Sequence, residues 1–186
     1  MKNKRIQCWL LLLMMVMLFG GCGFFTQDQE AVDPNKAEEN NEGPVEQDKV
    51  ELVLYFADDM GEYLHPEVRE VVLNGSTPAE MIVRELIDGP KKDSLFSPIP
   101  KTTELLGLKI SDRTAEVNFS RDIQTDHAGG TASEVFTIYS IVNSLTEMEE
   151  IDRVWILVEG EAVESLAGHV IIREPLEKKE RLTAPR

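Results

Sequence analysis

The sequence predicts an α+β domain, a two-layer α/β sandwich in which two helices pack on one face of a mixed sheet. Three observations predict it. Residues 49–57 place Val50, Leu52, Leu54 and Phe56 at every second position, with Val53 and Tyr55 on the other face, as a strand buried mainly on one side does. Two segments, Thr77–Glu80 and Thr131–Glu134, carry the Ser/Thr-x-x-Glu pattern that opens helices. The remaining apolar runs are short, so the order reads strand, strand, helix, strand, strand, helix, strand, strand.

The first 21 residues stand apart from this domain. Lys2, Lys4 and Arg5 make a positive start, Ile6 to Phe19 is an apolar run broken only by Gln7, and Gly20-Gly21-Cys22 closes it on small residues and a cysteine. This is the layout of an export signal. Read as a membrane-spanning helix, the run reaches only about 21 Å against roughly 30 Å of hydrocarbon. Two glycines and polar chain follow at once. The cysteine after the small residues resembles a bacterial lipobox, although Phe19 stands where that motif usually has leucine. The resemblance implies cleavage between Gly21 and Cys22 and a diacylglyceryl group on the Cys22 thiol. The chain then reaches the membrane through its lipid and lies on the extracytoplasmic face, since two acyl chains anchor stably where one does not.

Residues 22–49 follow as a lipidated linker. After Phe24 and Phe25 the stretch is polar and acidic, with nothing to build a core, and is expected to be disordered. As a flexible coil it reaches about 30 Å.

In the folded part, residues 50–176, Val50, Leu52, Leu54 and Phe56 share one face of the first strand. Asp58 to Glu62 is a turn, and a second strand over Val68–Leu73 pairs back. Thr77 caps the first helix, Pro78 suits its first position, and Glu80 completes the capping box. Ala79, Ile82, Val83, Leu86 and Ile87 form its stripe, and Gly89-Pro90 stops it. A long connection over 91–103 is pinned by Leu95, Phe96 and Ile99. Residues 104–110 and 115–119 read as a hairpin about Ser111–Thr114. Arg121 to Gly130 is a loop. The second helix runs from Thr131 to about Glu147 with Val135, Ile138, Tyr139, Val142 and Leu145 inward. Residues 153–159 read as a central strand, its inner V-W-I-L-V being apolar on both faces. His169–Arg173 is the expected last strand, and 177–186 a charged tail.

Composition narrows the function. The chain carries 19 Lys+Arg against 34 Asp+Glu, a formal charge of −15. Losing Lys2, Lys4 and Arg5 with the signal takes it to −18. Such a chain repels nucleic acid, so no nucleic-acid partner is expected. Of its two cysteines, Cys8 leaves with the signal and Cys22 takes the lipid, leaving none for a disulfide or a thiolate metal site. There is no G-x-S-x-G, and His65, His127 and His169 lack metal-ligand spacing. Asp58, Asp59 and Glu62, and likewise Asp122, Asp126 and His127, lack the alternating oxygen donors of a calcium loop and read as solvated acidic loops. No catalytic residue, metal or cofactor is expected.

Several short stretches, in order, resemble the GerMN domain of sporulation and spore germination: Leu54-Tyr55-Phe56, Glu67-Val68-Arg69, Leu86 with Gly89-Pro90, Ser97-Pro98-Ile99-Pro100, Val117-Asn118-Phe119-Ser120, Ile138 to Leu145, Val154 to Gly160, Leu166-Ala167-Gly168-His169 and Pro175-Leu176. The resemblance implies an exported lipoprotein of a Gram-positive, endospore-forming bacterium, with a fold similar to the ring-building modules of secretion machines. No catalytic residues come with the family. The family's germination protein carries two such domains in tandem where this chain has one, and Trp155 stands where a polar residue is expected. The reading is a non-enzymatic, membrane-anchored envelope lipoprotein that binds a protein partner or itself. The alternative is a cell-wall enzyme or small-ligand binder using the loop from Asp122 to Gly130.

Overall fold

The computed structural model describes residues 49–185. The signal, its cleavage point at Gly21 and Cys22, the lipidated cysteine and the linker up to Asp48 lie outside the described residues.

β1 (Lys49–Asp58) alternates as expected, with Leu52, Leu54 and Phe56 buried. β2 (Leu64–Val72) pairs with it antiparallel from Lys49↔Val72 to Ala57↔Leu64. It starts four residues before the expected strand and takes in His65-Pro66. Pro66 sits in an outer strand, where its missing N–H costs no ladder bond. α1 (Pro78–Asp88) is the helix the sequence marks. The Thr77 hydroxyl accepts from the Glu80 amide at 3.2 Å, and the Glu80 carboxylate accepts from the Thr77 amide at 2.8 Å. Ala79, Ile82, Val83 and Leu86 are buried, and burial of each larger aliphatic side chain stabilises by about 1.5–3 kcal/mol. The 91–103 connection contains β3 (Leu95–Phe96), which pairs with Ala57 and Asp58.

β4 (Leu105–Ser111) and β5 (Thr114–Phe119) form the expected hairpin. Its turn residues Asp112 and Arg113 have φ of 48° and 58°, the two left-handed positions that let a two-residue turn follow the strand twist. The 121–130 loop contains one helical turn, α2 (Asp122–Thr125). α3 (Thr131–Leu145) then carries the chain across, so that β6 (Arg153–Val158) lies parallel to β5. A parallel pair needs such a crossover. β7 (Glu161–Ala162) and β8 (Leu176–Glu177) both pair antiparallel to β6.

The α+β class stands, but the strands divide between two sheets. One has the order β2-β1-β3. The other runs β4-β5-β6-β7 with β8 also on β6, and is the mixed one. α3 explains the division. At Tyr55, the β1 edge that β3 pairs only at Ala57 and Asp58 has α3 beside it and no strand. Instead the Ser144 hydroxyl accepts from the Tyr55 amide at 2.9 Å, and the Ser140 hydroxyl donates to the Tyr55 carbonyl at 2.6 Å. These hydroxyls end the ladder by meeting backbone groups that would otherwise be buried unpaired. For the same reason α3 buries far more than a stripe: Phe136, Ile138, Tyr139, Ile141, Val142 and Leu145 with Thr137, Ser140, Asn143 and Ser144.

Three expectations are corrected. Residues 169–173 form no strand, since both stretches of the β6 edge opposite β5 are already taken by β7 and β8. Thr131 does not cap α3. The N-cap is Gly130, without a side-chain bond, and Glu134 is turned into the interior. The 177–186 stretch is charged but is not a free tail. Leu176–Glu177 pairs with β6, the Lys179 amide donates to Asn143 Oδ1 at 3.0 Å, and the Ala184 amide donates to the Leu64 carbonyl at 3.0 Å.

Candidate functional site

The acids most withdrawn from water are Glu67 and Glu134, and each serves the backbone. Glu67 and Arg69 lie on the face of β2 that meets Leu52 and Leu54, so both point into the core. Arg69 donates to Glu67 (Nε, 2.7 Å), to the Glu85 carboxylate (2.6 Å) and to the Gly89 carbonyl (2.7 Å). It therefore satisfies a free carbonyl at the C-terminus of α1, where a cation also suits the helix dipole. Phe56 lies under its guanidinium at 5.1 Å. Glu67 accepts from the Lys91 and Lys92 amides at 3.1–3.2 Å. Burial pushes its pKa up, but the Lys91 amide and Arg69 outweigh that and hold it below the usual carboxylate range.

Glu134 is fully buried in the first turn of α3. One carboxylate oxygen accepts from the Leu166 and Ala167 amides, both at 2.8 Å, and the other from the His169 amide at 2.8 Å, with His169 Nδ1 at 3.2 Å. Burial raises its pKa, and the three amides with His169 reverse the sign and keep it ionised. The sequence shows only a glutamate in the first turn of an apolar helix, and nothing local ties it to the Leu166-Ala167-Gly168-His169 stretch.

His127 and Thr137 make an imidazole–hydroxyl pair at 2.9 Å, the arrangement of a base and its nucleophile. Both groups are otherwise committed. The Gly129 amide donates to His127 Nδ1 at 2.9 Å, which leaves Nε2 as the donor to Thr137. The Thr137 hydroxyl is fully buried and lies 2.9 Å from the Pro98 carbonyl and 3.0 Å from that of Ser133. The pair pins the loop ahead of α3 to the 91–103 connection. Burial lowers the His127 pKa, which favours the neutral ring this geometry needs.

The other candidate residues are likewise used locally. Asp58 accepts from the Glu62 and Tyr63 amides and meets His65 Nε2 at 3.2 Å, closing the β1–β2 turn. Asp122 accepts from Ser120, and Asp126 from Thr102. Trp155 lies half-buried on the outer face of β6. Among the described residues, no three His, Cys, Asp or Glu side chains are placed to hold a metal ion. No described helix is long and apolar enough to cross a membrane.

Open surface remains on the sheets. A groove of about 470 Å³ has Val53, Tyr55, Pro66 and Val68 of β1 and β2 as its floor. Glu147 and the 178–184 segment form its walls. Val68 is 57% exposed there. Tyr55 donates to Glu147, which also accepts from Lys178, so this wall is held in place. The groove has an apolar floor and a charged rim, and no converging set of free polar groups. That suits a protein surface better than a small polar substrate.

Comparison with known proteins places this geometry. The family described as "Germane: Sporulation and spore germination" matches residues 53–164. A protein described as a lipoprotein from Clostridium perfringens has a crystal structure with 30% identity and a TM-score of 0.52, over 71% of this chain and 89% of that one. The tandem GerMN domains of the sporulation protein GerM from Bacillus subtilis superpose with a TM-score of 0.61 at 20% identity, over 79% of this chain and 51% of that one. The first of those domains alone gives 0.55 at 20% identity, over 69% and 97%. The chain thus spans about half of the tandem protein, and at this identity GerM speaks to the fold alone. No curated protein matches the chain. With the family model matched over residues 53–164, more than half of the chain, the chain belongs to the sporulation and spore germination (Germane) family.

Proposed function

We propose that the chain is a membrane-anchored lipoprotein of the extracytoplasmic face, held by a diacylglyceryl group on Cys22 after cleavage at Gly21. It acts without catalysis, as a module that binds a protein partner during sporulation or germination. The observation that carries this reading is the use of its withdrawn polar groups. Glu67, Glu134 and His127 are spent on backbone amides and on Arg69 and Thr137, while the sheet surface offers an apolar groove with Val68 exposed in it. The similarity to the Clostridium perfringens lipoprotein and the signal-like N-terminus support the anchor.

The test is the location of a fluorescent fusion, joined through a flexible spacer after Arg186, in growing and sporulating cells. The same fusion with Cys22→Ala is the comparison. Enrichment at the sporulation septum or engulfing membrane, lost with Cys22→Ala, supports an anchored module of spore formation. A uniform envelope signal in growing cells sinks the sporulation role. An unchanged pattern with Cys22→Ala sinks the lipid anchor.

A further inference from the structure

The two sheets end on outer strands that differ in kind. β2 carries the features that discourage a further strand: Pro66, which has no N–H to offer, and the charged Glu70 paired with Lys49. β4 lacks most of them. It is the end strand of its sheet, and no backbone bond joins its outer edge to another described segment. Its side chains are apolar where an edge is usually polar. Leu106 is 47% exposed, Ile110 is 39% exposed, and Leu108 is only partly buried. Its one cation, Lys109, lies in register with Glu116 of β5. A bulge between Leu105 and Gly107 turns Leu106 outward and leaves Gly107–Ser111 as a regular, unpaired edge.

Beside the start of this strand lies a second groove, of about 450 Å³, between α1 and β4. Ile87 and Leu105 give it apolar surface, and Asp88 and Glu104 give it charge. Arg84 also lines it, attracted to Glu80 one turn back along α1. Thr103 lines it too. That residue is 4% exposed, and its hydroxyl has no hydrogen-bond partner among the described residues. A buried hydroxyl left unpaired is costly.

We propose that the free edge of β4 binds an extended, basic segment of a partner protein, which adds a sixth strand to the second sheet and reaches into the groove beside Thr103. Unpaired strand backbone selects an extended polypeptide, because only that supplies matching N–H and C=O groups at strand spacing. The sign of the charge follows from the chain. Residues 49–186 carry 26 Asp+Glu against 15 Lys+Arg, so the domain repels both its own acidic linker and a second copy of itself. A strand-to-strand contact of this length also buries less than the roughly 1,200 Å² that a stable dimer needs. The proposal rests on the reading of this domain as a binding module, and names a surface and a partner class for it on a face apart from the β1–β2 groove.

The test uses the full chain in detergent micelles and a short synthetic peptide that alternates lysine and valine. Amide hydrogen exchange is followed residue by residue. The expected result is slowing of exchange by about tenfold or more, at saturating peptide, at those amides of Gly107–Ser111 that point away from β5. A glutamate–valine peptide and a lysine–valine peptide with a central proline should leave these amides unchanged. Ile110→Lys, at an exposed position, should weaken binding by about tenfold with the far-ultraviolet circular dichroism preserved. Absence of protection by the lysine–valine peptide overturns the proposal. Protection that rises with protein concentration alone overturns it in favour of a second copy. Protection present without peptide, and relieved by deleting residues 23–43, overturns it in favour of the linker. None of these failures alters the localisation test, which stands or falls on Cys22.

Discussion

Replacing Glu134 by glutamine is the sharpest test of the interior. The change keeps size and shape and swaps one carboxylate oxygen for an NH₂ group. If the NH₂ takes the place of the oxygen that meets Leu166 and Ala167, two buried amides face a donor; if it takes the other place, only the His169 amide does. The second orientation is cheaper. It still orphans one buried donor, at about 1–3 kcal/mol, and turns two charge-assisted bonds into neutral ones, at about 1 kcal/mol each. Relief of burying a charge offsets part of this, so Glu134→Gln should cost about 3 kcal/mol. With a urea slope of about 2 kcal/mol/M for a domain of this size, the unfolding midpoint should fall by about 1.5 M. The pH dependence has a definite sign. The folded-state pKa of Glu134 is lowered, so its contribution is complete above the unfolded glutamate value and is lost as pH falls through the folded one. The gap between the two chains should therefore be full at pH 7 and close only below about pH 4. The assay is urea unfolding at both pH values, with amide exchange read at Leu166, Ala167 and His169. A gap under about 0.5 kcal/mol at pH 7, or unchanged exchange at those three amides, would refute the reasoning.

Three further outcomes are expected. Arg69→Met strips the guanidinium from buried Glu67 and should cost about 3–5 kcal/mol, with Glu67→Gln in the same chain restoring part of it; strictly additive losses in the double-mutant cycle would show that the two groups do not interact. Thr77→Ala removes one half of the α1 capping box and should cost about 1 kcal/mol in thermal or urea unfolding, with a neutral result counting against the cap. His127 should titrate below its ordinary value of 6.5 by NMR, because burial favours the neutral ring whose Nδ1 accepts the Gly129 amide. Its contribution to stability is full above the unfolded value and declines as pH falls through it toward the folded one, so a midpoint at or above 6.5 would contradict the geometry.

The same letters were legible in one place and misleading in another. Thr77-Pro78-Ala79-Glu80 caps a helix because every group the motif needs lies within it. Thr131-Ala132-Ser133-Glu134 repeats the motif, but Glu134 is drawn off by amides more than thirty residues away, and no local pattern reports that. The hairpin at Asp112-Arg113 and the alternation of β1 and β5 were readable, since period two survives wherever one face is buried. The two-residue strands β3, β7 and β8 are too short to show a period. The run His169–Arg173 looked like a strand from its β-branched residues. Yet Ile171 is 70% exposed, and β7 and β8 already pair with the two ends of the β6 edge. The burial of α3 was half legible. Its apolar stripe pointed inward as expected, but nothing in the pattern marked Ser140 and Ser144, which close the edge of β1 at Tyr55. Of the core acids, Glu67 stood in a segment already marked by the family resemblance, but its partners at Lys91 and Lys92 come from across a helix.

The return of residues 176–184 across both sheets bears on how the chain folds as it is made. Leu64 bridges to Thr183, a separation of 119 residues (183 − 64), and contacts of that span close slowly because the loop entropy is lost before the contact rewards it. The β1–β2 hairpin and α1 are local and can form early, whereas the tie from β6 past α3 to Leu64 has to wait until residue 184 has been synthesised. Chains interrupted short of this point should keep native-like hairpins yet be cut readily by proteases, so the strap doubles as a mark by which a finished domain differs from an unfinished one.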